Sequence, residues 1–385
     1  MISCGEPSGD LYAGALTKEL FRADPQTVVT GFGGERLLAA GASLIGNFSG
    51  LSVTGLLEVA RVLPRTYATY RRLVDDARAA RPDVLVAIDF PDFNFTLARA
   101  VRKLGVPVVY YISPQLWAWR RGRMKTMRRI ADRVLVIFPF EEPIYREAGI
   151  PVQWVGHPLL DVAETPEPRA TFLGRLGLDA GRPVVALLPG SRRNEVSAIL
   201  PDLTRAAVII RSRLPGVQFI VARAAHLTDA VFEPLALLGA GGPAGQPITV
   251  VEGLADDVLA AADVALVASG TVTVQAALHE CPMVVVYRLS PLTYRLGKPF
   301  IHVDTYAMAN LIAGKRVVPE LIQDAFTPQA VADEALGVLT DPRHAAQVRT
   351  ELRAVKEKLG QPGASARAAA AVLDVARQGR GKSLE

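Results

Sequence analysis

Cysteine is scarce in this chain of 385 residues: Cys4 and Cys281 are the only two, and they lie far apart. They cannot form a disulfide framework or a CxxC pair, which suits a reducing compartment. Long apolar runs are missing too. The longest, Val264–Leu278, is broken by Ser269-Gly-Thr271 and falls short of the roughly 20 residues a membrane helix needs. The first ten residues include Glu6 and Asp10 but no basic segment and no apolar stretch, so they do not read as a signal peptide. Histidines 157, 226, 279, 302 and 344 are scattered, and with no HExxH or HxH pair among them nothing marks a metal site. The GxxxxGK phosphate loop, the GxGxxG dinucleotide fingerprint and the GxSxG hydrolase elbow are all absent.

What is present reads as a globular α/β protein. Half of the residues are apolar and 21% are charged. The length exceeds what one hydrophobic core usually serves, so two domains are expected. Apolar runs without strict alternation predict parallel strands buried on both faces. They lie at Val28–Phe32, Val84–Ile88, Val108–Ile112, Val134–Ile137, Val184–Leu188, Val217–Ala222, Ile248–Val251, Val264–Ala268 and Met283–Val286. Helical patterns fall between them at Leu11–Phe21, Arg65–Ala80, Thr96–Leu104, Glu195–Leu214 and Thr273–Glu280. This alternation predicts doubly wound sheets. The polar, proline-bearing stretch Asp161–Arg169 is the best boundary, and the tail past Pro328 reads as helices. Two Rossmann-like domains joined there would face a cleft, with ligands at the carboxyl ends of the strands.

The turns after the strands are therefore where chemistry is sought. Gly190, Ser191 and Arg192 follow Val184–Leu188 and open a helix; Ser269, Gly270 and Thr271 do the same after Val264–Ala268. Small residues, hydroxyls and helix amides make each an anion cradle or an ordinary capped turn, and two in one domain suit a diphosphate. Gly5-Glu-Pro-Ser-Gly-Asp10 is a third such turn. After Val84–Ile88 come Asp89, Asp92 and Asn94: a carboxylate there serves as a general base or as a helix cap, with Asp92 or Asn94 assigned to the cap and Asp89 to chemistry. Trp117 and Trp119 precede a basic run, Arg120 to Arg129, that fits nucleic acid, anionic headgroups or a solvated helix face; no RNA- or DNA-binding motif supports the first. Leu51–Leu63 is apolar and reads as a buried helix or a lipid-facing surface.

In order, Gly5-Glu-Pro-Ser-Gly-Asp10, Gly55-Leu-Leu-Glu-Val59, Ile88-Asp-Phe-Pro-Asp-Phe-Asn94, Ser113-Pro-Gln-Leu-Trp-Ala-Trp-Arg120, Val155-Gly-His-Pro158, Leu187-Leu-Pro-Gly-Ser-Arg192, Ala268-Ser-Gly-Thr271, Pro282-Met-Val-Val-Val-Tyr-Arg288 and Asn310-Leu-Ile-Ala-Gly314 make the sequence resemble the lipid-A-disaccharide synthase family. The resemblance implies a GT-B glycosyltransferase: an acceptor domain at 1–162, a UDP-sugar domain at 163–340, and C-terminal helices at 341–385 that pack on the first domain and are exchangeable in a homodimer. It implies transfer of 2,3-diacylglucosamine from UDP-2,3-diacylglucosamine to the 6-hydroxyl of 2,3-diacylglucosamine 1-phosphate, with inversion and with neither cofactor nor metal. Asp89 would be the base. Gly190, Ser191, Arg192, Ser269, Gly270, Thr271, Gln275 and Asn310 would bind the donor. Glu6, Ser8, Gly9, Asp10, Asn94, Ser113, Trp117 and His157 would line the acceptor side or the active-site cleft. Leu56, Leu57, Val59, Arg120, Arg121 and Arg123 would meet acyl chains or the inner-membrane surface, making the protein a cytoplasmic, peripheral one of a Gram-negative-type bacterium, with no nucleic-acid partner.

Gln275 stands where the family usually has Glu, and Ala309 replaces a proline. Two other readings remain alongside. One is a different GT-B enzyme, either the peptidoglycan-lipid N-acetylglucosaminyltransferase or a UDP-N-acetylglucosamine 2-epimerase. The other is a non-catalytic nucleotide-binding relative.

Overall fold

The computed structural model describes residues 1–48, 56–116, 121–240, 248–289 and 305–382. The chain forms two compact units, Met1–Val162 with Leu359–Glu385, and Ala163–Lys358. The first holds strands β1 (Ile2–Cys4), β2 (Thr30–Gly33), β3 (Ser43–Asn47), β4 (Leu85–Ile88), β5 (Val108–Tyr111), β6 (Arg133–Val136) and β7 (Val152–Trp154). They pair in the order β3-β2-β1-β4-β5-β6-β7, all parallel. The second unit holds β8 (Val184–Leu188), β9 (Gln218–Arg223), β10 (Thr249–Glu252), β11 (Val264–Ala268), β12 (Met283–Tyr287) and β13 (Glu320–Ile322). Their order is β10-β9-β8-β11-β12-β13, again parallel.

Both sheets are doubly wound with the same reversal. The winding changes direction between β1 and β4 in one unit and between β8 and β11 in the other. The carboxyl ends of those strands form the switch point at which ligands bind in such sheets.

The central strands β4, β5, β8 and β11 are buried along their whole length, which explains their unbroken apolar sequences. Helix Arg193–Arg213 buries Val196, Ile199, Leu200, Leu203, Ala207 and Ile210, the spacing of one helical face. Each of its large aliphatic side chains contributes about 1.5–3 kcal/mol through burial. Gly31 fits β2 against β1, because a Cβ there would overlap the Ile2 carbonyl.

Several expectations need correction. Val28 is 80% exposed and precedes β2, so the predicted strand starts too early. The short edge strands β3 and β13 carried too little apolar signal to be read. The tail does not go as one piece. Helix Pro342–Lys358 stays with the second unit, where Lys358 Nζ reaches the Ala313 carbonyl at 3.0 Å and Arg353 pairs with Glu280 at 2.7 Å. Only the chain from Leu359, with helix Ala364–Lys382, belongs to the first unit. There Asp161 caps that helix, accepting from the Gly363 and Ser365 amides at 2.5 and 2.7 Å.

Candidate active site

In the first unit Asp89 follows the last residue of β4, at the switch point. Asp89 and Phe90 both take left-handed backbone conformations, with φ of 44° and 48°. Such residues cost on the order of 1–3 kcal/mol each and persist only where their surroundings hold them. Here the hold is visible. The Asp89 amide donates to the Tyr111 carbonyl at 3.2 Å, and the Tyr110 hydroxyl donates to the Asp89 carbonyl at 2.8 Å. The Asn94 Nδ2 amide sits 2.8, 3.1 and 3.2 Å from the carbonyls of Asp89, Ile88 and Ser3, while Asn94 Oδ1 accepts from Ser3 Oγ at 2.7 Å. Gly5 leaves room for the Phe90 ring, which a Cβ would overlap.

These contacts narrow one assignment and correct another. Asn94 is fully buried and spends its amide on the turn, so of its two expected places it belongs to the turn that carries Asp89 and not to the acceptor's contacts. Nor is there a side-chain cap: the helix starts at Pro91, with left-handed Phe90 at its N-cap. Asp92 instead pairs with Arg123 at 2.6 Å. The Arg123 guanidinium also lies over the Phe95 ring, 5.6 Å from its centroid.

Asp10 is likewise internal. It is 4% exposed and accepts from the amides of Gly34, Arg36 and Leu37 at 2.7, 2.9 and 3.1 Å, capping helix Glu35–Ala39. Gly9 brings helix Pro7–Ala23 against Cys4 and Ile88. Ser113 is buried, and its hydroxyl bonds that of Tyr145. Glu6 and Ser8 are half-buried at the edge that carries Asp89. His157 follows β7 and is 2% exposed. Its Nδ1 accepts from the Leu159 amide at 3.1 Å, and burial lowers its pKa to about 3, so the ring is neutral with its proton on Nε2. Trp117 and Arg120 lie outside the described residues. Leu56, Leu57 and Val59 fall on helix Leu56–Ala80 and Arg121 on a short helical turn, with their side chains outside the described set.

In the second unit both predicted cradles come to the switch point between β8 and β11. Gly190 has φ of 120°, a conformation that favours glycine, and a Cβ there would collide with the Glu195 carboxylate. That carboxylate reaches back one helical turn to accept the Ser191 amide at 3.2 Å. An oxyanion thus already sits on the turn's N–H. Gly270 and Thr271 are exposed at the start of helix Thr271–Leu278, where helix amides favour an anion. Ser269 is held by its amide on the Val286 carbonyl, 2.9 Å away.

One donor-side assignment changes. Asn310 is 1% exposed, with Nδ2 on the Val318 carbonyl and Glu320 at 2.9 and 2.6 Å, and Oδ1 taking the Val317 and Val318 amides at 2.8 and 3.0 Å. With both ends of its amide committed it is an internal staple rather than a ligand contact. Gln275 Nε2 donates to Asp256 Oδ1 at 3.1 Å, and His279 Nε2 contacts the same oxygen at 2.7 Å. Burial raises the Asp256 pKa, but bonds from His279 and Gln275 outweigh it and hold the carboxyl below its ordinary value. An acid therefore does stand beside position 275, supplied from helix Ala255–Ala261. It was not legible in the sequence because it lies 19 residues away with no motif linking the two. Among the described residues no three His, Cys, Asp or Glu side chains cluster as metal ligands.

Two Rossmann-like sheets, each with its polar turns at the switch point, define the GT-B class of sugar-nucleotide enzymes. Solved structures of that class match nearly the whole chain. A UDP-GlcNAc 2-epimerase from Neisseria meningitidis, bound to UDP-GlcNAc, is similar at TM-score 0.67 and 13% identity, covering 97% of this chain and 98% of that one. The calicheamicin glycosyltransferase CalG4 is similar at 0.60 and 16% identity, covering 98% and 97%. At these identities the likeness concerns the fold. Sequence decides the family: the lipid-A-disaccharide synthetase family model matches residues 1–375. Lipid-A-disaccharide synthases of Geobacter metallireducens and Myxococcus xanthus are 44% and 40% identical, over 97% and 99% of this chain and 96% and 98% of theirs. The chain belongs to the lipid-A-disaccharide synthase family of glycosyltransferases.

Proposed function

We propose that the protein joins two acylated glucosamines. The donor is UDP-2,3-diacylglucosamine and the acceptor 2,3-diacylglucosamine 1-phosphate; the products are the β-1,6 disaccharide 1-phosphate and UDP. Asp89 takes the proton of the acceptor's 6-hydroxyl as its oxygen bonds C1 of the donor sugar, and the C1–oxygen bond to the diphosphate breaks with inversion. Gly190, Ser191 and Arg192 with Ser269, Gly270 and Thr271 receive the leaving diphosphate. The observation that carries this reading is the strained turn at Asp89. Two adjacent left-handed residues, braced by Asn94, Tyr110 and Tyr111, are a cost that a carboxylate needing one fixed aim would justify. The Glu195 carboxylate on the Ser191 amide supports oxyanion binding at the other turn.

On this reading the protein works at the cytoplasmic face of an inner membrane as a peripheral protein, since both substrates carry acyl chains, and it does so as a homodimer. Leu63 and Tyr67, 56% and 60% exposed on helix Leu56–Ala80, support an apolar contact there. Among the described residues no helix is long and apolar enough to cross a membrane.

The test is disaccharide formation by purified protein from the two diacyl substrates without added metal. Asp89→Ala is expected to abolish turnover while UDP still binds. Full activity of that variant would overturn the base assignment. Turnover of unacylated UDP-N-acetylglucosamine alone would overturn the substrates.

A further inference from the structure

Tyr12 belongs to no turn motif, yet it is placed where the chemistry is. Helix Pro7–Ala23 leaves the carboxyl end of β1, and Gly9 lets it close on Ile88, the residue before Asp89. Tyr12 follows one turn later. Long side chains on a helix lean towards its N-terminus, so this ring reaches back towards the level at which the strands end. There it meets the His157 ring edge-on, with centroids 6.0 Å apart. Tyr12 is 4% exposed, and its buried hydroxyl has no hydrogen-bond partner among the described residues.

A buried hydroxyl without a partner costs on the order of 1–3 kcal/mol, and phenylalanine would fill the same space without that cost. The hydroxyl therefore calls for a use. Its surroundings name one. Burial pushes the phenol pKa up and the nearby Asp89 charge pushes it further, so Tyr12 keeps its proton and is a donor beside a carboxylate. Beside it, neutral His157 presents a second donor, Nε2–H, its Nδ1 being occupied by the Leu159 amide.

We propose that Tyr12 is a positioning residue for Asp89: its hydroxyl donates to the Asp89 carboxylate through one water shared with His157 Nε2–H, and keeps that carboxylate aimed at the acceptor hydroxyl. This rests on the reading of Asp89 as the base. Asp89 still receives the proton; Tyr12 neither gains nor loses one.

Tyr12→Phe tests it by steady-state kinetics alongside a melting curve. The turnover number is expected to fall about tenfold or more, with KM for both substrates within about twofold of wild type. The melting temperature is expected to hold or rise, since the ring remains. A wild-type turnover number in Tyr12→Phe overturns the proposal, as does a rise in KM at unchanged turnover. Asp89→Ala separates the two readings. If it is inactive while Tyr12→Phe is fully active, only the role of Tyr12 falls; if it is fully active, the base falls and Tyr12 with it.

Discussion

Asn94 holds Asp89 from five residues further on: its side-chain nitrogen lies 2.8 Å from the Asp89 carbonyl, while its oxygen takes the Ser3 hydroxyl at 2.7 Å. One amide thus ties β1 to the strained turn after β4, across the point where the sheet reverses. Asn94→Ala should cost roughly 2–3 kcal/mol of stability, because several buried groups lose their partner together. Turnover should fall as well, with UDP affinity unchanged. Denaturant unfolding and a UDP titration check both. A variant of normal stability and low turnover would mean that Asn94 touches substrate.

Asp10 offers the opposite case. Asp10→Ala strips a cap from helix Glu35–Ala39 and is expected to cost about 1–2 kcal/mol. KM for the acceptor should stay at the wild-type value in the folded fraction. A large rise in that KM, with stability intact, would return Asp10 to the acceptor side.

The Asn310 staple makes a similar prediction in the second unit. Asn310→Ala leaves the Val317 and Val318 amides and the Glu320 carboxylate without their partner. A stability loss on the order of 2–3 kcal/mol is expected. The affinity of the folded protein for UDP, measured by calorimetry below the transition, should not change.

Acid should destabilise the first unit through His157. Its folded pKa is near 3, below the ordinary 6.5 of the unfolded chain. The unfolded state therefore takes up a proton as pH falls below about 6.5, and the folded state does not until near 3. Stability is full above that window and is lost as pH drops into it, by about 2 kcal/mol between pH 7 and pH 5. His157→Gln should flatten this part of the pH–stability curve. An unchanged slope in that variant would assign the effect to other groups.

Gln275→Glu would set a second carboxylate beside Asp256, whose Oδ1 is 3.1 Å from Gln275 Nε2. Two like charges at that distance disfavour ionisation of one. The variant is expected to lose stability increasingly as pH rises through the carboxylate range, and to bind UDP no more tightly than wild type. Tighter binding would show that position 275 meets the nucleotide itself.

Much of the fold was legible in the residues. The long apolar runs that became β8 and β11 are buried on both faces, and such burial leaves an unbroken signature. The turns at Gly190 and Ser269 were found for the same local reason, since small residues between a strand and a helix mark a close backbone approach. The edge strands β3 and β13 were missed because a short, half-covered strand need not be apolar.

The sequence by itself determined the family, the doubly wound strands and the turns that hold Asp89, Arg192 and Thr271. Only the tertiary structure decided which polar side chains of those motifs face outward. Asp10, Asn94 and Asn310 have the types and positions of ligand contacts, yet each is consumed by backbone groups brought to it by folding. A carboxylate or amide at a strand end reads the same whether it receives a substrate or another turn's N–H. The difference lies in what arrives beside it, and the partners of Asp10, Tyr12 and Gln275 come from separate elements that no local pattern connects.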